Sequence, residues 1–222
     1  KTKKYSTSME KSYYPPLMNS DPVKNTYTLK NNKIITGPNA AGKTTLIKSS
    51  IINILLSQQI GCGFFSKARI KPFDYIHCYI NIPDTSGRDS LFQAEARRCK
   101  NMLKIIKAHP KKRHFCIFDE LYSGTNPYEA ISSAYSFLLY ISKNPNVKFM
   151  LTTHYIKLCK LCEGKNNIKN YNMETRIEEN ITNYTYKLVT GISNIKGGIY
   201  VLKQLKYPRE IISLTQKIMD RM

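Results

Sequence analysis

The chain has 222 residues, 41% of them apolar, which suffices for one large domain, or one domain with an appended element, and argues against a disordered polymer. Lys and Arg total 35 against 15 Asp and Glu, a formal charge of +20, which favours anionic partners, nucleic acid first and acidic membrane second. The abundance of Lys, Asn, Ile and Tyr offers compositional drift as the competing account of that charge, and no apolar run is long enough for a membrane span.

The chain starts Lys1-Thr2-Lys3-Lys4 with no Met and no signal-like apolar region, so a piece of a longer protein is expected, and its cysteines are expected to be reduced, intracellular thiols. Residues 1–19 are polar and read as a loose linker or the tail of a preceding domain. Residues 26–29 and 33–36 read as two short strands around an Asn31-Asn32 turn. After a glycine-rich loop, residues 44–57 carry Leu46, Ile47, Ile51, Ile54 and Leu55 at helical spacing. Residues 73–80 alternate as a strand, with Phe73, Tyr75 and His77 on one face, and 83–89 form a loop. Residues 90–107 form a helix with Phe92, Ala96, Cys99, Leu103 and Ile106 as its apolar stripe, stopped by Pro110.

Residues 113–118 are a short apolar strand ending in Asp119-Glu120, 128–141 a helix, and 147–152 a buried strand ending in Thr152-Thr153-His154. Cys159 and Cys162 form a lone CxxC, which reads as helical core packing rather than a metal site, and the six cysteines suggest no disulfide framework. Residues 184–189 read as a strand, and 198–205 and 208–219 as two helices with Pro208 in the first turn of the second. Strands alternating with helices predict an α/β fold with a mostly parallel sheet, flanked by helices, and ligands at the carboxyl ends of its strands. The predicted units are 1–19, a main α/β domain over 20–198, and a helix–turn–helix over 199–222.

Gly37-Pro38-Asn39-Ala40-Ala41-Gly42-Lys43-Thr44 fits the phosphate-binding pattern G-x-x-x-x-G-K-[ST], placed between a strand and a helix, and Thr45 follows as a further expected nucleotide contact. Such glycines let backbone N–H groups turn inward at phosphate oxygens, and the helix adds the positive end of its dipole. Lys43 is expected to neutralise the β- and γ-phosphates of ATP and Thr44 to bind Mg²⁺. Asp119 is expected to hold the same Mg²⁺, and Glu120 to accept a proton from the attacking water. His154, at the end of the next strand, is expected to sense the γ-phosphate.

The order of these motifs resembles the C-terminal ATPase domain of the MutS family of mismatch-repair proteins, a P-loop NTPase of ABC type. TGPNAAGKTT is similar to that family's glycine loop, SLFQAE (90–95) to its signature segment, and DELYSGTNPYEA to its Asp–Glu segment. LTTHYIKL is similar to its histidine strand, and YKLVTGISNIKGGIYVLKQLKYPREII to its closing segment. The resemblance implies a homodimer, or a MutS-like heterodimer, with composite ATP sites. Ser90 would reach the γ-phosphate in trans, Phe92 and Glu95 would support Ser90, and Asn39 would lie near the same phosphate. The closing helix–turn–helix, 199–219, would dimerise, and DNA would be held mainly by domains upstream.

This chain departs from the family at Tyr122-Ser123, where Gly-Arg is usual, at Ala40-Ala41, at an extra Asp89 before Ser90, and at Pro22, where an aromatic that stacks on adenine is usual. These departures motivate a second hypothesis, a nucleotide-gated dimerisation or DNA-binding module with little or no hydrolysis. A third, another ABC-type ATPase such as a transporter engine, lacks the expected signature. The basic stretch Arg97, Arg98, Lys100, Lys104, Lys107, Lys111, Lys112 and Arg113 reads first as a solvated helix face and second as a contact with DNA or an acidic domain.

Overall fold

The computed structural model describes residues 6–80, 90–178, 181–193, 195 and 197–221. The expected loop at 83–89, with Asp89, lies outside them. The elements are β1 (Ser8–Ser12), β2 (Asn25–Thr28), β3 (Asn32–Thr36), α1 (Lys43–Ile60), β4 (Lys67–Arg69), β5 (Tyr75–Tyr79), α2 (Leu91–Ala108) and β6 (His114–Asp119). There follow α3 (Pro127–Ser142), β7 (Val147–Thr152), α4 (Ile156–Cys162), β8 (Ile168–Glu178), β9 (Ile181–Thr190), α5 (Gly197–Gln204) and α6 (Arg209–Arg221).

A six-stranded sheet runs in the order β5-β6-β7-β3-β8-β9. Its pairs are parallel from β5 through β8, and β9 closes one edge antiparallel to β8. The mostly parallel α/β arrangement expected from the strand–helix alternation is therefore present. Central strands covered on both faces need apolar residues at every position, divided by the period of two. In β6, Phe115 and Ile117 face the α1 side with Leu46, Ile47 and Ile54, while Cys116 and Phe118 face α2, α3 and α4 with Met102, Leu138 and Leu158. Ile34 and Ile35 of β3 split in the same way.

The α2 stripe packs as its spacing predicts: Cys99 and Ile106 are in the core, with Phe92, Ala96 and Leu103 against it. Ser90 caps α2 through a reciprocal box, its Oγ accepting from Gln93 N at 3.3 Å while its own N–H donates to Gln93 Oε1 at 2.9 Å. Cys159 and Cys162 lie buried in α4, and burial raises their thiols to about 12 and about 11.

Two expectations are corrected. Part of the segment expected to be a loose linker or tail is β1, the middle strand of a three-stranded antiparallel sheet, β2-β1-β4. Met9 is fully buried there. Asn53 of α1 ties this strand down, its Nδ2 donating to Ser12 Oγ at 3.2 Å and to Tyr13 O at 3.0 Å. Phe73 does not share a face with Tyr75 and His77. It precedes β5 and packs against Phe115 on the α1 side, whereas Tyr75 and His77 lie stacked together.

Candidate active site

The carboxyl ends of β3, β6 and β7 bring three short segments together. The first is loop 37–42. Gly42 holds a left-handed φ of 90°, and a Cβ there would sit 3.1 Å from the Tyr186 ring, so both backbone and space require glycine. Lys43, the first residue of α1, is 6% exposed, and its Nζ donates to Gly37 O at 2.9 Å and Pro38 O at 3.0 Å. The ammonium thus lies across the mouth of its own loop. Burial lowers its pKa, and the nearby Glu120 and Asp119 charges oppose that shift.

The second segment is the end of β6. Thr44 Oγ1 donates to Asp119 at 3.0 and 2.9 Å from its two carboxylate oxygens, and Thr152 Oγ1 donates to the same carboxylate from β7. The parallel register places Asp119 beside Thr152, so this contact is built into the sheet. Glu120 then turns out of the strand at φ 53°. The third segment is the end of β7, where His154 Nε2 lies 2.6 Å from Glu120 Oε1, with both side chains part-exposed. Glu120 is held below the usual carboxylate range first by that hydrogen bond; burial, the next largest effect, opposes the shift, and the charges of His154 and then Lys43 add to it.

A cleft of about 510 Å³ opens beside loop 37–42, lined by Asn39, Ala40, Gly42, Lys43, Thr44, Thr45 and Glu120. Its far wall is Tyr13, Tyr14, Pro22, Val23 and Tyr186. A second cleft of about 480 Å³ lies on the other side of the loop, between Gly37, Pro38, Asn39, His154 and the helix α5. Of the residues singled out in the sequence, Lys43, Thr44, Asp119, Glu120 and His154 thus converge, while Ala41 is buried behind the loop. Ser90 is exposed at the start of α2 and lines neither cleft.

The family model for MutS domain V matches residues 33–222. The chain belongs to the MutS family. It is 33% identical over 193 residues to the DNA mismatch repair protein MutS of Parabacteroides distasonis, covering 85% of this chain and 22% of that protein. It is 30% identical over 203 residues to the MutS of Orientia tsutsugamushi, covering 89% and 22%. Against the MutS of Persephonella marina the identity is 28% over 221 residues, covering 97% and 25%. The chain therefore spans about a fifth to a quarter of the length of these relatives.

In this MutS-family chain, the site residue that sequence reading missed is Tyr186. It sits in β9 at φ 55°, near a register shift of the β8–β9 ladder, and reaches loop 37–42 only because β9 folds back along the sheet edge. Asn25 Nδ2 fixes its backbone by donating to Tyr186 O at 2.9 Å. No local pattern announces it. Pro22, by contrast, lies in the cleft wall, where an aromatic was expected to be missing.

The basic stretch divides. Arg98 donates to Cys78 O, Lys112 pairs with Asp74, and Arg113 covers Phe73 while donating to Lys71 O and Pro72 O. Those three side chains hold the β5 region together. Lys100 and Lys104 are exposed on α2. Among the described residues no helix is long and apolar enough to cross a membrane, and no group of three or more His, Cys, Asp or Glu is placed to hold a metal.

Proposed function

We propose that this chain is the ATPase domain of a MutS-like DNA-repair protein, a P-loop unit of ABC type that binds and hydrolyses Mg-ATP. One observation carries the reading: the Thr44 hydroxyl rests on the Asp119 carboxylate while Lys43 and Glu120 line the same cleft. A hydroxyl beside a carboxylate is the oxygen donor set a hard cation such as Mg²⁺ takes, so the residues present fit the ion. Bound Mg-ATP would supply a polarised γ-phosphate as electrophile. Lys43 would exchange its loop carbonyls for phosphate oxygens, and Thr44 and Asp119 would hold the ion. Glu120 would orient and deprotonate water, with His154 holding the carboxylate ionised and aimed until a γ-phosphate competes for the imidazole. Tyr186, with Tyr13, Tyr14 and Pro22, would form the wall for the base.

The same reading makes each site composite, with Ser90 acting on the nucleotide of a second copy in a homodimer, or of a MutS-like partner in a heterodimer. It assigns α5 and α6 as a helix–turn–helix dimerisation element. Leu205, Ile211, Leu214 and Ile218 are exposed there, at 46–65%, as an uncovered apolar face would require. Turnover would drive a DNA-binding clamp whose DNA-holding parts lie outside this chain.

The test is phosphate release and mass measured together, with and without DNA, for wild type, Lys43→Ala and Glu120→Gln. Expected are Mg²⁺-dependent turnover in wild type alone and an ATP-bound dimer that accumulates with Glu120→Gln. A second reading, a nucleotide-gated module with little hydrolysis, draws on the Glu120–His154 pairing, which lowers the basicity of Glu120. It predicts ATP-driven dimerisation of wild type without phosphate release.

A further inference from the structure

Glu95 has a place in the fold that the active-site grouping does not explain. Its side chain is buried at 2% exposure on the inner face of α2, five residues after Ser90. A buried carboxylate needs its lone pairs filled by donors. Ser123 N donates to Oε1 at 3.0 Å, Ser123 Oγ to Oε1 at 3.1 Å, and Gly124 N to Oε2 at 3.0 Å. The Tyr79 hydroxyl is a further donor to Glu95, and it accepts in turn from Tyr122 N at 3.3 Å.

Three of the four donors thus come from the turn that starts at Glu120. That turn is fixed further: Tyr122 holds φ 59°, its ring meets Phe92 at 5.7 Å, and a Cβ on Gly124 would lie 2.7 Å from both Leu91 Cγ and Phe92 N. The first turns of α2 and the turn after Glu120 therefore touch with no slack. Charge-assisted hydrogen bonds, not apolar contact alone, join them.

We propose that Glu95 is a positioning residue that makes the Ser90 end of α2 and the Glu120 turn move as one body. Each protomer's hydrolytic carboxylate is then set by whether its own α2 is docked on the nucleotide of a second copy. The inference rests on the composite-site reading above and adds the residue that joins one site to the other. Ser123, at one of the departures from the family pattern, is part of the link, since its hydroxyl donates to Glu95 Oε1 beside its own backbone N–H.

The test uses mixed dimers of differently tagged copies, one reporting and one silent. The silent copy is either Glu120→Gln, which keeps ATP without turning it over, or Lys43→Ala, which does not hold it. All phosphate then comes from the reporting copy. A wild-type reporter is expected to turn over about tenfold faster beside Glu120→Gln than beside Lys43→Ala. A Glu95→Gln reporter is expected to show the slower rate with both partners, a ratio near one, with KM and dimer mass kept. A purely structural weakening lowers both rates in proportion, and an unchanged ratio overturns the proposal. Ser123→Ala removes one donor of four and is expected to give an intermediate ratio. Should Glu95→Gln form no dimer, an unchanged ratio in Ser123→Ala overturns it equally. If the wild-type reporter releases phosphate at one rate beside both partners, the coupling alone fails. If it forms no dimer or releases none, the proposed function fails and takes this inference with it.

Discussion

Opposite ends of one parallel sheet carry histidines with opposite circumstances. At the carboxyl end of β7, His154 is part-exposed and engages Glu120 across a 2.6 Å contact. Towards the amino ends of β5 and β6, His77 and His114 are buried and engage each other, His77 Nε2 to His114 Nδ1 at 3.1 Å. His114 Nε2 then donates to His109 O at 3.0 Å, which leaves Nδ1 to accept from His77. The Tyr75 ring stacks on His109 and His114, with centroids 5.0 Å away in each case. The residue type is the same, and the end of the sheet decides its role. Carboxyl ends of parallel strands open onto loops that a ligand can reach, while the other end here is sealed by aromatic packing.

The largest expected contrast between the two ends is in turnover. On the proposed reading Glu120→Gln removes the base from the open end, and it is expected to lower phosphate release about a hundredfold or more, with the fold kept and at most a small fall in the thermal midpoint. A loss of the midpoint together with activity would make Glu120 structural and erase the contrast. His114→Ala tests the sealed end. It strands the His77 donor, frees the His109 carbonyl and opens a cavity, so a cost of about 2–4 kcal/mol is expected in urea unfolding. Turnover per folded molecule should stay as in wild type. His154→Ala should do the reverse, lowering turnover about tenfold through loss of the group that aims Glu120, with stability within about 0.5 kcal/mol.

The open end was legible because its signals are local. Loop 37–42 and Asp119-Glu120 are each a few consecutive residues, and each sits where an apolar strand stops. The strand alternation that splits Phe115 from Cys116 is likewise a matter of neighbours in sequence. What escaped was joined across long separations. β1 has one large apolar residue, Met9, and is a strand because β2 and β4 flank it. Tyr186 lies more than a hundred residues beyond Gly42, and only the β8–β9 pairing brings its ring there. Glu95 was read as support for Ser90, but its bond to Ser123 depends on how α2 lies against β6.

The smallest expected effect sharpens the comparison by pH. Burial, then the charges of His114 and Arg98, lower the pKa of His77 from 6.5 to about 4. The folded chain therefore keeps His77 neutral down to about pH 4, while the unfolded chain takes up a proton near pH 6.5. Between those values the unfolded state binds more protons, so stability falls as pH falls, with a contribution approaching one proton in slope. Glu120 adds in the same direction at lower pH. Its folded pKa is depressed, so its contribution is present above the unfolded carboxylate value and is lost as pH falls through the folded one. The two separate by mutation. His77→Phe should flatten the stability profile between pH 6.5 and 4, measured by urea midpoints, whereas Glu120→Gln should leave the profile above pH 5 parallel to that of wild type. A His77→Phe profile as steep as wild type would mean that the sealed end takes up no less charge than the unfolded chain, and the difference between the two ends would then be one of exposure without a difference in protonation.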